Sequence, residues 1–218
     1  MRTRTSAIAA ALSAAAVVTG VLAGGIGQAA TLDQQTPQLH QQAGHPAAGA
    51  AQHVHGRPGG PAGPRSGSRA EKVERVVRAA RSQIGKGYDY SWGAGGKGGA
   101  AYGSQHHKRE GGDDWDRLGY DCSGLTEYAF WKGAGIDIGS ATPQQYQHGQ
   151  KVAPSKAERG DLIFFGKGDN AQSTYHVLLY LGHGKAIEAA PPRNGKSVHE
   201  VNLYGKDRWA AHVVRAIR

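Results

Sequence analysis

Asp121-Cys122-Ser123-Gly124-Leu125-Thr126-Glu127-Tyr128-Ala129-Phe130-Trp131-Lys132 is the most informative run in this chain of 218 residues. Asp121 is an effective N-cap, Leu125, Tyr128, Ala129 and Lys132 recur at helical spacing, and Gly133 and Gly135 supply a stop. The spacing therefore predicts a helix whose first turn carries the only cysteine of the sequence. A single cysteine excludes an intramolecular disulfide and any zinc site that needs more than one thiolate. Cys122 is either an ordinary small buried residue or present for its sulfur.

Upstream, Glu71 to Ile84 places Val73, Val76, Val77, Ala80 and Ile84 at helical spacing, with Gly85 to end the element. From Gly85 to Tyr120 no period is sustained. The aromatics Tyr88, Tyr90, Trp92 and Tyr102 mark this segment as a long structured loop with a functional purpose. Downstream, four short apolar runs read as strands: Asp161 to Phe165, His176 to Leu181, Lys185 to Ala189, and Val213 to Ile217. Gly182-His183-Gly184 is a tight-turn signal between the second and third. Helices first and neighbouring strands after give an α+β pattern with a meandering antiparallel sheet.

Further out lies a different kind of sequence. Arg2 and Arg4 precede an uncharged Ala/Val/Leu-rich run from Ser6 to Ile26 and small residues near Ala29 and Ala30, the layout of a secretory signal over residues 1–30. Residues 31–68 are rich in Gln, His, Pro, Ala and Gly and hold too little aliphatic surface to offset backbone ordering, so they read as a disordered tether to a domain at 69–218. The whole chain has 26 basic and 17 acidic residues, a net charge of +9. Without Arg2, Arg4, Arg57, Arg65 and Asp33, the 150 residues from 69 to 218 keep 22 basic and 16 acidic residues, about +6. Such a surface is drawn to anionic cell-wall polymers, and the scattered basic residues, free of zinc-finger spacing or a dense stripe, give no expectation of nucleic-acid binding.

A thiolate is the reactive form of cysteine, and the N–H groups and dipole of a helix N-terminus favour it. The same N–H groups can hold the oxyanion formed when sulfur attacks a carbonyl. The thiol then needs a base and the base an orienting group. His176 opens an apolar strand, and Glu188 lies in the next strand, 54 and 12 residues further along in turn. His106, His107, His148, His183, His199 and His212 compete for the role of base, and His106-His107 near Asp113 and Asp114 reads as a solvated loop rather than a metal site.

Four ordered blocks carry a resemblance. Tyr90-Ser91-Trp92-Gly93, Asp121-Cys122-Ser123-Gly124-Leu125, Gly160-Asp161-Leu162-Ile163-Phe164-Phe165 and His176-Val177-Leu178-Leu179-Tyr180-Leu181-Gly182 resemble the NlpC/P60 family of cell-wall cysteine peptidases over residues 70–218. The resemblance implies a papain-like α+β core, its nucleophile at a helix N-terminus packed on an antiparallel sheet. By position it implies Cys122 as nucleophile, His176 as base, Glu188 as the orienting group and Tyr90 as a second oxyanion donor. Asp121 and Ser123 match positions that in some members line the substrate's amine side. Three departures stand out: a glutamate where the family more often has histidine, Leu178 where glycine is usual, and an insertion over residues 95–120 that is expected to form an extra wall or lid.

The expectation is a secreted, cell-wall-associated, monomeric peptidoglycan hydrolase acting on stem peptides, the implied bond lying between D-γ-glutamate and a diamino acid, with no metal or organic cofactor. The alternatives are a Cys-dependent amidase, transpeptidase or acyltransferase on another amide or ester, or a catalytically silent wall-binding module.

Overall fold

The computed structural model describes residues 54–109 and 112–218. The signal sequence and the tether as far as residue 53 lie outside the described residues. In chain order the elements are α1 (Arg69–Arg81), β1 (Asp89–Tyr90), β2 (Ala101–Tyr102), β3 (Lys108–Arg109), β4 (Gly112–Asp113), β5 (Leu118–Tyr120), α2 (Cys122–Ala134), α3 (Thr142–Gln147), β6 (Gln150–Val152), β7 (Leu162–Phe165), β8 (His176–Gly182), β9 (Lys185–Ala189), β10 (Val198–Asn202) and β11 (Val213–Arg215).

Ser68 and Glu71 form a reciprocal capping box at the start of α1, satisfying two backbone N–H groups that no helical partner reaches. The helix stops at Arg81, one turn before Gly85, where the N–H groups of Gln83 and Ile84 bond back to Ala80 O and Arg81 O in a tightened last turn. Asp121 caps α2 by accepting from Gly124 N–H at 2.7 Å, and Gly135 closes it in the left-handed conformation with φ 63°. Both termini of α2 are therefore where local sequence chemistry puts them.

What buries α2 is tertiary. It packs on α1 along one side and on β8 and β9 along the other, so Leu125, Ala129, Phe130 and Ala134 are all buried. The α1 crossing depends on Gly133: a methyl group there would stand 2.4 Å from the Val76 nitrogen and 2.5 Å from its Cα.

The main sheet has the order β10-β9-β8-β7-β11-β6 and is antiparallel throughout. Alternation sends Val177, Leu179, Ile187 and Ala189 toward the helices. Ile163, Phe165, Leu178 and Ala186 go to a second apolar cluster with Val152 and Val213. Arg215 clamps the entry to β7 through two bonds to the Asp161 carboxylate, at 3.0 and 2.9 Å. Two elements absent from the sequence reading, β6 and β10, flank the expected strands as the sheet's edges.

The tether boundary at residue 68 needs correction. Residues 54–63 lie along the domain: Tyr102 N–H donates to Val54 O at 2.9 Å, Gly56 N–H to Tyr102 O at 2.8 Å, Gly98 N–H to Pro58 O at 2.7 Å and Gly63 N–H to Trp131 O at 2.8 Å. The Trp131 indole donates to Gly60 O at 2.7 Å, and the His55 ring stacks on Trp115 at 3.7 Å. Composition could not reveal this, because the order comes from hydrogen bonds to distant backbone rather than from apolar burial.

The described part of the 95–120 insertion packs on β1 and the loop after it: β5 pairs with β1, Ser91 Oγ donates to Asp114 O at 2.8 Å, the Asp114 carboxylate meets Arg193 at 2.8 Å, and the His107 ring lies 5.9 Å from that of Trp92. The Arg193 guanidinium in turn lies 5.8 Å from the centre of the Tyr90 ring.

Candidate active site

Cys122 occupies the first position of α2 and is 5% exposed. It lines a cleft of about 380 Å³ together with Arg57, Tyr90, Trp92, Asp121, Ser123 and Tyr175. Trp92 and Tyr175 are exposed aromatics at its rim. Among the described residues, none of the 95–120 insertion lines it. A larger groove of about 540 Å³ lies elsewhere, beside Ile163, Tyr180, Leu203 and Trp209, and brings together no nucleophile with a base. Chemistry, not volume, distinguishes the smaller cleft.

His176 enters from β8. Its Nε2 lies 2.6 Å from Glu188 Oε2, and Cys122 is the other group whose interaction favours the charged ring. With Nε2 directed at the carboxylate, Nδ1 is the nitrogen left to face the sulfur. Glu188 is 3% exposed, and its Oε2 also accepts from the Tyr204 hydroxyl at 2.9 Å. His199, its cross-strand neighbour on β10, comes within 3.5 Å of Oε1. Burial of His176 opposes its charged form, but the interactions with Cys122 and Glu188 outweigh that and raise its pKa to about 9. Around neutrality the imidazole is held protonated.

The three residues singled out for nucleophile, base and orienter thus converge. Of the competing histidines, His106 pairs with Asp113, His183 sits in the β8–β9 turn at φ 52°, His212 lies beside Asp169, and His199 reaches the far oxygen of Glu188. Among the described residues no group of three or more His, Cys, Asp or Glu is placed to hold a metal ion. Leu178 is 1% exposed and fills the second apolar cluster with Ile163, Phe165 and Ala186.

Asp121 and Ser123 line the cleft, but their polar atoms are engaged within the protein. Asp121 Oδ1 accepts from Gly124 N–H at 2.7 Å and from Ser123 Oγ at 2.9 Å. Its Oδ2 accepts from Gly93 N–H at 2.9 Å and from Arg57 Nη2 at 2.6 Å. One carboxylate therefore caps α2, ties down the Tyr90-Ser91-Trp92-Gly93 loop, and holds a guanidinium from the N-terminal segment.

The wall facing that loop was not foreseen from sequence. Ala141, Thr142 and Pro143 supply it from the start of α3. They are anchored by buried Gln145, whose Nε2 donates to Ser123 O at 2.8 Å and Gly139 O at 3.0 Å, while its Oε1 accepts from Thr126 Oγ1 at 2.8 Å. The six-residue helix has no side-chain cap, and Pro143 in its first turn is its local mark.

Comparison with known proteins agrees with this architecture. The chain is 36% identical over 135 residues to the peptidoglycan endopeptidase RipB of Mycobacterium tuberculosis, covering 62% of this chain and 50% of that protein. It thus spans about half the length of the curated relative. The solved structure of the peptidoglycan hydrolase RipB superposes with a TM-score of 0.56 at 35% identity, covering 69% of this chain and 67% of the other. RipD of the same organism, described as a non-catalytic NlpC/p60 domain protein adapted to peptidoglycan binding, superposes with a TM-score of 0.54 at 32% identity, covering 66% and 96%. The NlpC/P60 family profile matches residues 87–218, more than half of the sequence, and the chain belongs to that family.

Proposed function

We propose that this chain is a secreted peptidoglycan hydrolase that cleaves an amide of the stem peptide through a Cys122 thiolate. The observation that carries the reading is the His176 imidazole placed between Cys122 and Glu188 at the mouth of a helix N-terminus. A protonated imidazole beside a thiol favours the thiolate–imidazolium pair, the state ready to attack. The thiolate adds to the amide carbonyl. The Gly124 N–H is committed to Asp121, so the Cys122 N–H and the Tyr90 hydroxyl are the assigned oxyanion donors. His176 then gives its proton to the leaving amine, and water, deprotonated by the neutral imidazole, hydrolyses the thioester.

Glu188 orients the ring and stabilises its charged form. The bond between D-γ-glutamate and the diamino acid is the assigned target. Export through residues 1–30, action as a monomer and attraction of the basic domain, about +6, to anionic wall polymers complete the reading.

The test is release of soluble muropeptides from purified sacculi by the mature chain and by Cys122→Ala, with product masses identifying the bond. Release by the parent and its loss in the variant are expected. Equal release by both would remove Cys122 from the nucleophile's role. Binding to sacculi without release by the parent would place this chain instead with the kind of role described for RipD.

A further inference from the structure

Arg57 lies in a segment whose composition promised no structure, yet its side chain is only 25% exposed and makes four hydrogen bonds. Nη2 donates to Asp121 Oδ2 at 2.6 Å and to Ser123 Oγ at 3.0 Å. Nη1 donates to the carbonyls of Ala94 at 3.1 Å and Gly95 at 3.0 Å. The socket is shaped for the guanidinium, since a methyl group on Gly124 would stand 2.3 Å from Nη1 and 2.2 Å from Ala94 O. A planar fork that spans a carboxylate, a hydroxyl and two carbonyls is arginine chemistry, and lysine cannot reproduce it.

The two residues it grips on α2, Asp121 and Ser123, flank Cys122. A carboxylate immediately before the thiol opposes formation of a thiolate, by the same Coulomb term that a nearby cation reverses. A second carboxylate, Glu127, is buried further along α2; burial raises its pKa to about 6, with Arg57 and Lys97 opposing the rise. The other ionisable groups around the thiol are His176 of β8, backed by Glu188 of β9, Tyr90 of β1, and Tyr175 at the rim.

We propose that Arg57 is a positioning residue of the thiol site: by neutralising Asp121 at the start of α2 it keeps the Cys122 thiolate favoured, and it makes residues 54–63 part of the catalytic domain. The inference rests on Cys122 being the nucleophile, but it is measurable without any peptidoglycan.

Cys122 is the only cysteine, so alkylation of the full chain by iodoacetamide across pH reports this thiol alone. In Arg57→Gln the midpoint of the alkylation profile is expected to rise by about one unit, with roughly tenfold slower alkylation below the midpoint. In Asp121→Asn, where asparagine caps a helix as well as aspartate, the midpoint is expected to fall. The double variant is expected to return close to the parent, because removing both charges removes the imbalance. Asp121→Asn retains the Arg57 segment, so it carries the test even if Arg57→Gln does not fold.

An unchanged midpoint in folded Arg57→Gln, or in Asp121→Asn, would overturn the proposal. So would faster muropeptide release by Arg57→Gln, which would make the guanidinium a plug in the cleft. Shifted alkylation profiles with no muropeptide release by the parent would instead sink the proposed hydrolase activity and leave the role of Arg57 standing.

Discussion

Replacing Glu188 by glutamine removes one negative charge and almost no volume from a site where both matter. Glu188 is 3% exposed, contacts His176 Nε2 at 2.6 Å and accepts from Tyr204 at 2.9 Å. Glutamine can still accept from both through its carbonyl oxygen, so ring orientation survives and the loss is electrostatic. A charge-assisted hydrogen bond to an imidazolium contributes about 1.5–3 kcal/mol against about 1 kcal/mol for its neutral counterpart. The difference, about 0.5–2 kcal/mol, corresponds to about one unit in the His176 pKa.

The sign follows from the raised folded value. His176 is protonated below about 9, and the imidazolium is lost as the pH rises through that value. Loss of the Glu188 charge moves this limb toward acid by about one unit, so kcat/KM changes little near neutrality and falls by about five- to tenfold between pH 9 and 10 or so. The assay is kcat/KM on a soluble muropeptide from pH 6 to pH 10 or so, with circular dichroism to verify folding. A descending limb still at about 9 with kcat/KM within twofold of the parent would refute the argument that the carboxylate holds the proton on His176. His199, at 3.5 Å from Oε1, cannot substitute for the lost anion because it is neutral or cationic.

Two other perturbations test how the fold holds this site. Gly133→Ala places a methyl group 2.4 Å from the Val76 nitrogen, so α1 and α2 must separate; a loss of about 1–3 kcal/mol and a melting temperature lower by several degrees are expected in a thermal scan, and an unchanged melting point would mean that the crossing is looser than described. Gln145→Ala removes the bonds to Ser123 O, Gly139 O and Thr126 Oγ1, of which Ser123 O and Thr126 Oγ1 still bond each other at 3.0 Å; about 1–3 kcal/mol of stability should be lost in urea titration, with KM rising as the wall at 141–143 loosens, whereas a purely global effect would lower the folded fraction and leave KM alone.

Much of the architecture was legible from local chemistry. The ends of α2 are marked by Asp121 and Gly135, and one face of α1 by Val73, Val76, Val77 and Ala80, because capping and periodicity are set by residues within a few positions of each other. The strands at Leu162–Phe165, His176–Gly182 and Lys185–Ala189 are short apolar runs bounded by turn residues. The missing pieces have the opposite character. α3 is six residues with no side-chain cap, held by Gln145 reaching Ser123, Thr126 and Gly139. β10 is an edge strand whose exposed positions blur the apolar pattern.

By itself the sequence determined which residues were chemically able to act: one thiol in a first helical turn, a histidine opening an apolar strand, and a carboxylate on the next. Each is a local property of side chain and spacing. Only the tertiary structure decided which atoms meet: that His176 Nε2 turns to Glu188, that Tyr204 shares the carboxylate, that the insertion backs β1, and that Arg57 occupies the Asp121–Ser123 end of the cleft. Arg57 is the sharpest case. Its segment buries too little apolar surface to signal order, and its place is set by two backbone carbonyls, a carboxylate and a hydroxyl 37 to 66 positions away, which no local pattern can encode.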